Sequence, residues 1–284
     1  MPLIQGWIPP SRSNWDLLCR VWDFFPLFTT VQWLTTWYPM GKTSVVSRLN
    51  IPGKWAWATM ETPGFCLLLY NMYTLPPSLG ITSLPKENWV MAGMFTLHYL
   101  NRALLSPLYL NPSMSPIHPL VWIAALSFQF SNATALGGWL AGYGPTTGAY
   151  WAGRGTQVYV GAAIWLCGLV GNVYHDEVLR RLRREAARKQ EKAEERGKRG
   201  VEKVYLLPED GLFKWILYPH YVCEWVEWTG YWVMAGWGCG PARAFVLNEV
   251  FSMLPRAVQG KEWYVERFGG EKVGGRGSVV PGIL

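Results

Sequence analysis

Residues 212–231 read LFKWILYPHYVCEWVEWTGY, a run long and aromatic enough to cross a bilayer that nevertheless carries Glu224 and Glu227 near its centre. A carboxylate in hydrocarbon is expensive, so acids in such a run face a protein interior, meet a cation or line a substrate path. On a helix Tyr221, Glu224 and Trp228 fall at i, i+3 and i+7, with His220 and Glu227 one position round on the same stripe. Pro219 has no amide hydrogen and is expected to weaken the helix there, freeing carbonyls for a polar ligand. The plainer alternative is an interfacial helix whose acids touch headgroups and water.

The rest of the chain favours burial in a membrane. Half of its 284 residues are hydrophobic and eighteen are Trp. Residues 103–153 contain no Asp, Glu, Lys or Arg, and neither do 62–85 or 155–175. Uncharged apolar runs near twenty residues are candidate spans. The expected fold is therefore all-α and polytopic, with about seven transmembrane helices and no Rossmann domain. The spans are placed at 15–38, 55–73, 89–109, 120–140, 157–174, 212–231 and 241–254. In the first, Arg20 and Asp23 are spaced to pair and Pro26 to kink the helix.

Charge sets the orientation. The stretch 177–203 holds eleven Lys/Arg against six acids, which is five of the seven net positive charges. Such a concentrated excess beside apolar spans marks a cytosolic loop and gives no nucleic-acid-binding face. It is expected to start helical and then become mobile. Residues 39–54, with Lys42, Arg48 and Lys54 and no acid, read the same way. Five spans before the charged loop put the N-terminus in the lumen and the C-terminus in the cytosol. The start, MPLIQGWIPPSR, lacks the basic and apolar regions of a cleaved signal, so insertion is expected to rely on the first span.

Several motifs carry nothing. Gly41-Lys42-Thr43 resembles a P-loop end, but Thr36 stands where glycine is required. The sequon Asn132-Ala133-Thr134 falls inside an apolar run. The five Cys (Cys19, Cys66, Cys167, Cys223, Cys239) have no paired spacing and read as buried thiols. His98, His118, His175 and His220 lack zinc-type grouping, so no metal is expected. The sequence carries no signal for an oligomeric state.

The remaining polar groups divide in two. Glu61, Tyr99, Glu224 and Glu227 lie within spans, whereas Arg183, Arg256 and Arg276 lie at cytosolic ends. Guanidinium forks hold phosphates in a bidentate way, which suits a phosphate-bearing cofactor. An acid and a phenol among apolar residues suit a lipid with one polar handle. A Glu61 carrying a proton could donate to a ketone beside Tyr99, polarising it as hydride reaches a conjugated carbon. With no G-x-G-x-x-G after a strand, any dinucleotide would bind between helices. Asn172, Asp176, Arg180 and Arg183 form one helical stripe leaving the membrane, His98 is spaced to meet Arg102, and each group singly has a structural alternative as an ion pair or packed side chain.

Together these motifs resemble the steroid 5α-reductase family over most of the chain. The resemblance is carried by Glu61-Thr62-Pro63, by His98-Tyr99-Leu100-Asn101-Arg102 and by Asn172, Asp176, Arg180 and Arg183. Gly211-Leu212-Phe213, the stripe Tyr221, Glu224, Glu227-Trp228, Gly230-Tyr231, then Arg256-Ala257, Trp263-Tyr264 and Arg276 continue it in order. The resemblance implies a seven-helix membrane enzyme of the endoplasmic reticulum that uses NADPH to reduce a carbon–carbon double bond conjugated to a carbonyl. It implies that Glu61 and Tyr99 hold the substrate ketone. It implies that Asn172, Asp176, Arg183, Tyr205, Glu224, Arg256, Tyr264 and Arg276 hold NADPH, with His220 at an asparagine position of the same set. Gly260 stands where a histidine is frequent, which predicts a lost contact. Ser106-Pro107 and Asn111-Pro112 replace polar and basic residues, and Arg276 sits in a tail one residue longer than usual.

The chain reads as a single domain, with residues 1–150 on the substrate side and 151–284 binding the cofactor. The implied substrate is a 3-oxo-Δ4 steroid or sterol, with polyprenals and trans-2-enoyl-CoA lipids as other enones. Two alternatives compete. A membrane methyltransferase using S-adenosylmethionine would share Pro219-His220-Tyr221, but not Glu61 and the His98–Arg102 motif. A non-catalytic lipid-binding protein would explain Gly260 and His220.

Overall fold

The computed structural model describes residues 2–35, 37–41, 44–195 and 204–282. Lys42 and Thr43 of the discarded P-loop, the end of the charged loop from 196 and the last two residues lie outside them. Among the described residues the fold is all helical, with isolated β-bridges and no strands.

The N-terminal segment is not one helix. It breaks into α1 (Arg12–Asp23), α2 (Phe25–Thr29) and α3 (Val31–Leu34). Pro26 enters at the start of α2, and the Thr29 and Thr30 hydroxyls donate to the Pro26 and Leu27 carbonyls. Asp23 pairs with Arg243 at 3.4 Å, across to α10 (Gly240–Phe268), and not with Arg20 as its spacing suggested. A tertiary partner overrides the local one.

Helix α4 (Gly53–Ser78) has Pro63, Pro76 and Pro77 inside it and apolar residues around its whole circumference. Helix α5 (Lys86–Tyr99) widens into a π-helical segment, Leu100–Leu110, so the motif from His98 to Arg102 straddles the junction. Helix α6 (Pro119–Gly138) ends in a second such turn, Trp139–Tyr143, and the short α7 (Gly148–Trp151) follows.

Helix α8 (Gly155–Glu195) has 41 residues. At about 1.5 Å per residue it is about 60 Å long, twice the thickness of a hydrocarbon core of about 30 Å. Its apolar and charged halves therefore occupy different surroundings. It crosses α9 (Pro219–Ala235) at glycines: a Cβ on Gly168 would overlap the Glu227 backbone, and one on Gly230 the Trp165 backbone. Close backbone approach through small residues is how helices pack where lipid removes the hydrophobic drive.

The opening stretch is corrected here. Residues 212–231 are not one span, because Gly211–Lys214 is a 3-10 turn and the helix begins only at Pro219. Leu217 and Tyr218 instead donate to the Gly277 and Ser278 carbonyls, each at 2.9 Å. Pro219 then occupies the first helical turn, where a missing N–H has no intrahelical partner to lose, so it starts the helix and frees no mid-helix carbonyl. The last apolar segment is longer than its 241–254 reading, because α10 continues through Pro255 to Phe268, and the short α11 (Gly270–Val273) closes the described chain.

Two cores result. The larger gathers Phe95, Tyr99, Trp228, Tyr231 and Phe245, with Trp228 and Phe245 ring centres 4.4 Å apart. The smaller gathers Leu217, Tyr218, Ala257 and Tyr264. Apolar side chains also face outward, among them Phe28, Leu97, Ile123, Leu166 and Val170. Two helical stretches, Pro119–Tyr143 and Gly155–Glu195, are long and apolar enough to cross a bilayer. Cys223 and Cys239 are buried as expected, whereas Cys66 and Cys167 point outward.

Candidate functional site

The polar centre is built around Arg102, which the π-helical turn carries into the middle of the bundle. Its Nε lies 3.4 Å from Glu61 Oε1 and its Nη1 3.1 Å from Glu224 Oε1. Glu61 is 5% exposed and Glu224 1%, so one guanidinium fork meets two buried carboxyl groups, from α4 and α9. Glu224 Oε2 also accepts from Asn172 Nδ2 at 3.3 Å, and the same amide donates to the His220 carbonyl at 2.9 Å. Two groups expected at the cofactor are thus joined to one expected at the substrate through a single arginine.

Tyr99 is buried beside this chain, its ring 4.6 Å from Phe95 and 6.2 Å from Trp228. His98 turns to Glu227, with Nδ1 2.8 Å from Oε1, and not to Arg102. The Gln129 side-chain amide donates to Glu61 Oε2. Glu61 thus has the Gln129 amide at Oε2 and the Arg102 guanidinium beside Oε1. Glu249 of α10 is also buried, a further acid within the bundle.

The arginine-rich end is arranged less simply than its sequence suggested. Arg183 Nη1 donates to Asn111 Oδ1 at 2.8 Å, and Arg180 Nη2 to Ser106 Oγ at 3.0 Å. Ser106 and Asn111, read as replacements, are thus anchors for α8. Asp176 pairs with Arg180 at 3.6 Å. Burial alone would raise the Glu177 carboxyl, but hydrogen bonds from Arg184 and Arg180 outweigh it and hold it below its usual range. Arg256 stacks over Tyr38 at 4.3 Å, and Tyr264 packs near Tyr218 and Phe268. His220 packs against Tyr221 with ring centres 4.6 Å apart. Tyr205 sits edge-on to Trp263 at 4.9 Å, under Arg267.

Arg276 departs from its expected role. It donates to the carbonyls of Val273, Pro208, Phe213 and Lys272 at 2.8–3.2 Å. Four backbone acceptors leave a five-hydrogen guanidinium little for a phosphate, so Arg276 works as a clamp on the tail. Gly260 also changes meaning. A Cβ there would overlap the Tyr218 hydroxyl, so the glycine is the notch into which Tyr218 fits. Among the described residues no group of His, Cys, Asp and Glu is arranged to hold a metal ion.

Comparison with known proteins places this geometry. The family described as 3-oxo-5-alpha-steroid 4-dehydrogenase matches residues 115–284, more than half of the chain. The chain belongs to that family. Over 244 residues it is 35% identical to an uncharacterized protein of Schizosaccharomyces pombe, covering 81% of this chain and 86% of that one. It is 28% identical over 254 residues to rat 3-oxo-5-alpha-steroid 4-dehydrogenase 1, covering 89% of each. It is also 27% identical over 261 residues to tomato steroid 5-alpha-reductase DET2, covering 90% and 91%. The family expected from the motifs is the family found.

For a member of the 5α-reductase family, four residues escaped the sequence reading. Arg102 was assigned to His98, because helical spacing reports neighbours on one helix and not partners on another. Gln129 was visible as a lone amide in a charge-free run, and Glu249 as an acid inside the last apolar segment. Tyr218 had no sequence signal beyond its place before Pro219.

Proposed function

We propose that the chain is a multi-pass membrane reductase of the endoplasmic reticulum that uses NADPH to saturate a carbon–carbon double bond conjugated to the carbonyl of a lipid. The substrate class the reading favours is a 3-oxo-Δ4 steroid or sterol. Residues 1–150 supply the substrate side and 151–284 the cofactor side of one domain, crossing the bilayer about seven times with the C-terminus cytosolic.

The observation that carries the reading is the buried chain from Glu61 through Arg102 to Glu224 and Asn172. In this reading Glu61, taken as the carbonyl-binding acid, is one side chain away from Glu224, taken as a dinucleotide group, which in turn bonds Asn172. The residues present fit such a cofactor. Arg183 and Arg256 carry guanidinium donors suited to phosphate, and Tyr264 packs near Tyr218. In this reading Asn172, Asp176, Tyr205, His220, Glu224, Tyr264 and Arg276 hold the rest of the dinucleotide. NADPH, when bound, supplies hydride to the carbon β to the carbonyl. The chain's own part is to orient the two molecules, exclude water and direct the Tyr99 hydroxyl at the oxygen where charge grows, with Glu61 beside it.

The methyltransferase alternative gives no use to Arg102 between Glu61 and Glu224. The non-catalytic alternative rested partly on Gly260, which the Tyr218 hydroxyl now explains. Thermal unfolding of the detergent-purified protein discriminates among the three. NADPH is expected to raise the midpoint while NADH and S-adenosylmethionine leave it unchanged, since a ligand bound only to the folded state stabilises it by mass action. Protection by S-adenosylmethionine alone overturns the reductase, and protection by none of them favours the lipid-binding protein.

A further inference from the structure

The reductase reading gives His98 no work, although both nitrogens of its buried ring face buried acids. Glu224 and Glu227 lie three apart on α9, so their carboxyls leave one face of that helix about one turn apart. The imidazole at the end of α5 reaches both. Nδ1 lies 2.8 Å from Glu227 Oε1, a hydrogen bond, and Nε2 lies 3.7 Å from Glu224 Oε1, an ion-pair distance. Nε2 makes no hydrogen bond among the described residues. Trp228 and Tyr99 hold the ring edge-on, with centres 4.7 and 5.0 Å away.

A neutral imidazole has one N–H, so beside two carboxylates its second nitrogen turns a lone pair toward an anion. Both ends are satisfied only with one proton more, on the ring or on one of the carboxyls. The surroundings favour that proton too. Glu61, Glu224 and Glu227 are buried with one guanidinium among them, and two negative charges would stay uncompensated if all three were ionised beside a neutral ring. We propose that His98 is a positioning residue: anchored on Glu227, it holds the shared proton against Glu224 and keeps that carboxyl where Asn172 meets it. This rests on the reading that puts Glu224 and Asn172 at the dinucleotide. It adds that the dinucleotide end of the site is set from α5, the helix that also carries Tyr99.

Substitution by the two amides separates the two ring nitrogens. His98→Gln puts an N–H near the place of Nε2 and His98→Asn near that of Nδ1, whereas His98→Phe keeps a ring and removes both. NADPH dissociation constants, and kcat and KM with a 3-oxo-Δ4 steroid, are measured for each detergent-purified variant. His98→Phe is expected to bind NADPH about tenfold more weakly, the loss of about one hydrogen bond to a charged group. Its KM for NADPH should rise while kcat at saturating cofactor changes little. His98→Gln should recover most of the affinity and His98→Asn none of it. In a Glu224→Gln background His98→Phe should cost nothing further, because residues that act through one another are not additive. Recovery by His98→Asn, equal behaviour of the two amide variants, or a full tenfold loss in the Glu224→Gln background would each overturn the proposal. If His98→Phe does not fold, the comparison of His98→Gln with His98→Asn decides alone. A parent that does not bind NADPH, or a Glu224→Gln variant that binds it as tightly as the parent, overturns the cofactor reading and the inference with it. Failure of the inference alone leaves both NADPH binding and the effect of Glu224→Gln in place.

Discussion

Glu61→Gln is expected to leave NADPH bound and to lower turnover of a conjugated enone by at least about 100-fold, the loss typical of removing one preorganised group that acts on developing charge. The substitution nearly conserves volume, so the packing of α4 against α6 should survive. What changes is the charge. Arg102 loses one of its two carboxylates, and the Gln129 amide faces another amide in place of an anion. Dinucleotide affinity should hold because the groups assigned to it, Asn172 and Glu224, keep their own bonds. Stopped-flow loss of NADPH absorbance, beside a dissociation constant from cofactor fluorescence, reads both quantities. Unchanged turnover would remove Glu61 from the chemistry, and lost cofactor binding would move it to the other sub-site.

Arg102→Met is expected to do more general damage. The guanidinium is the cation that meets both Glu61 and Glu224, and each of those is at most 5% exposed. Breaking a buried pair by deleting one partner typically destabilises by about 3–5 kcal/mol, because a charge is left buried without compensation. Here two are left. The variant should lose most of its yield as a monodisperse detergent particle, and any folded fraction should unfold at a markedly lower temperature. Arg102→Lys, which keeps the charge without the fork, should fall between the two. A methionine variant as stable as the parent would show that the carboxylates do not depend on Arg102.

Much of this site was legible before the structure because chemistry in an apolar chain is conspicuous. Acids inside hydrophobic runs have few reasons to be there, so Glu61, Glu224 and Glu227 stood out. Their order along the chain pointed to the family. Which of them meet was not legible. The pairing of His98 with Glu227, and of Arg102 with Glu61 and Glu224, depends on how α4, α5 and α9 are placed, and close approaches such as Gly168 of α8 against the Glu227 backbone are not written in the spacing along one helix. Hydropathy located apolar segments but not their breaks. Pro26 and Pro219 each stand in the first turn of a helix, while Pro63 and Pro255 were absorbed within helices, because neighbouring side chains and terminal position decide what a proline does. Arg276 and Gly260 also do structural work that their sequence context does not report. Each was read by what a side chain there offers a ligand, whereas its structural work is toward the backbone of the tail and toward Tyr218.

Transfer of deuterium tests the central claim most directly. The purified protein is given NADPH deuterated at the transferable position together with a 3-oxo-Δ4 steroid, and the product is analysed by mass spectrometry and NMR. The saturated ketone is expected to carry one deuterium on the carbon β to the carbonyl, with the label transferred at least about 100-fold more slowly by the Glu61→Gln variant. Recovery of unreacted steroid, or of a saturated product without the label, would contradict the account.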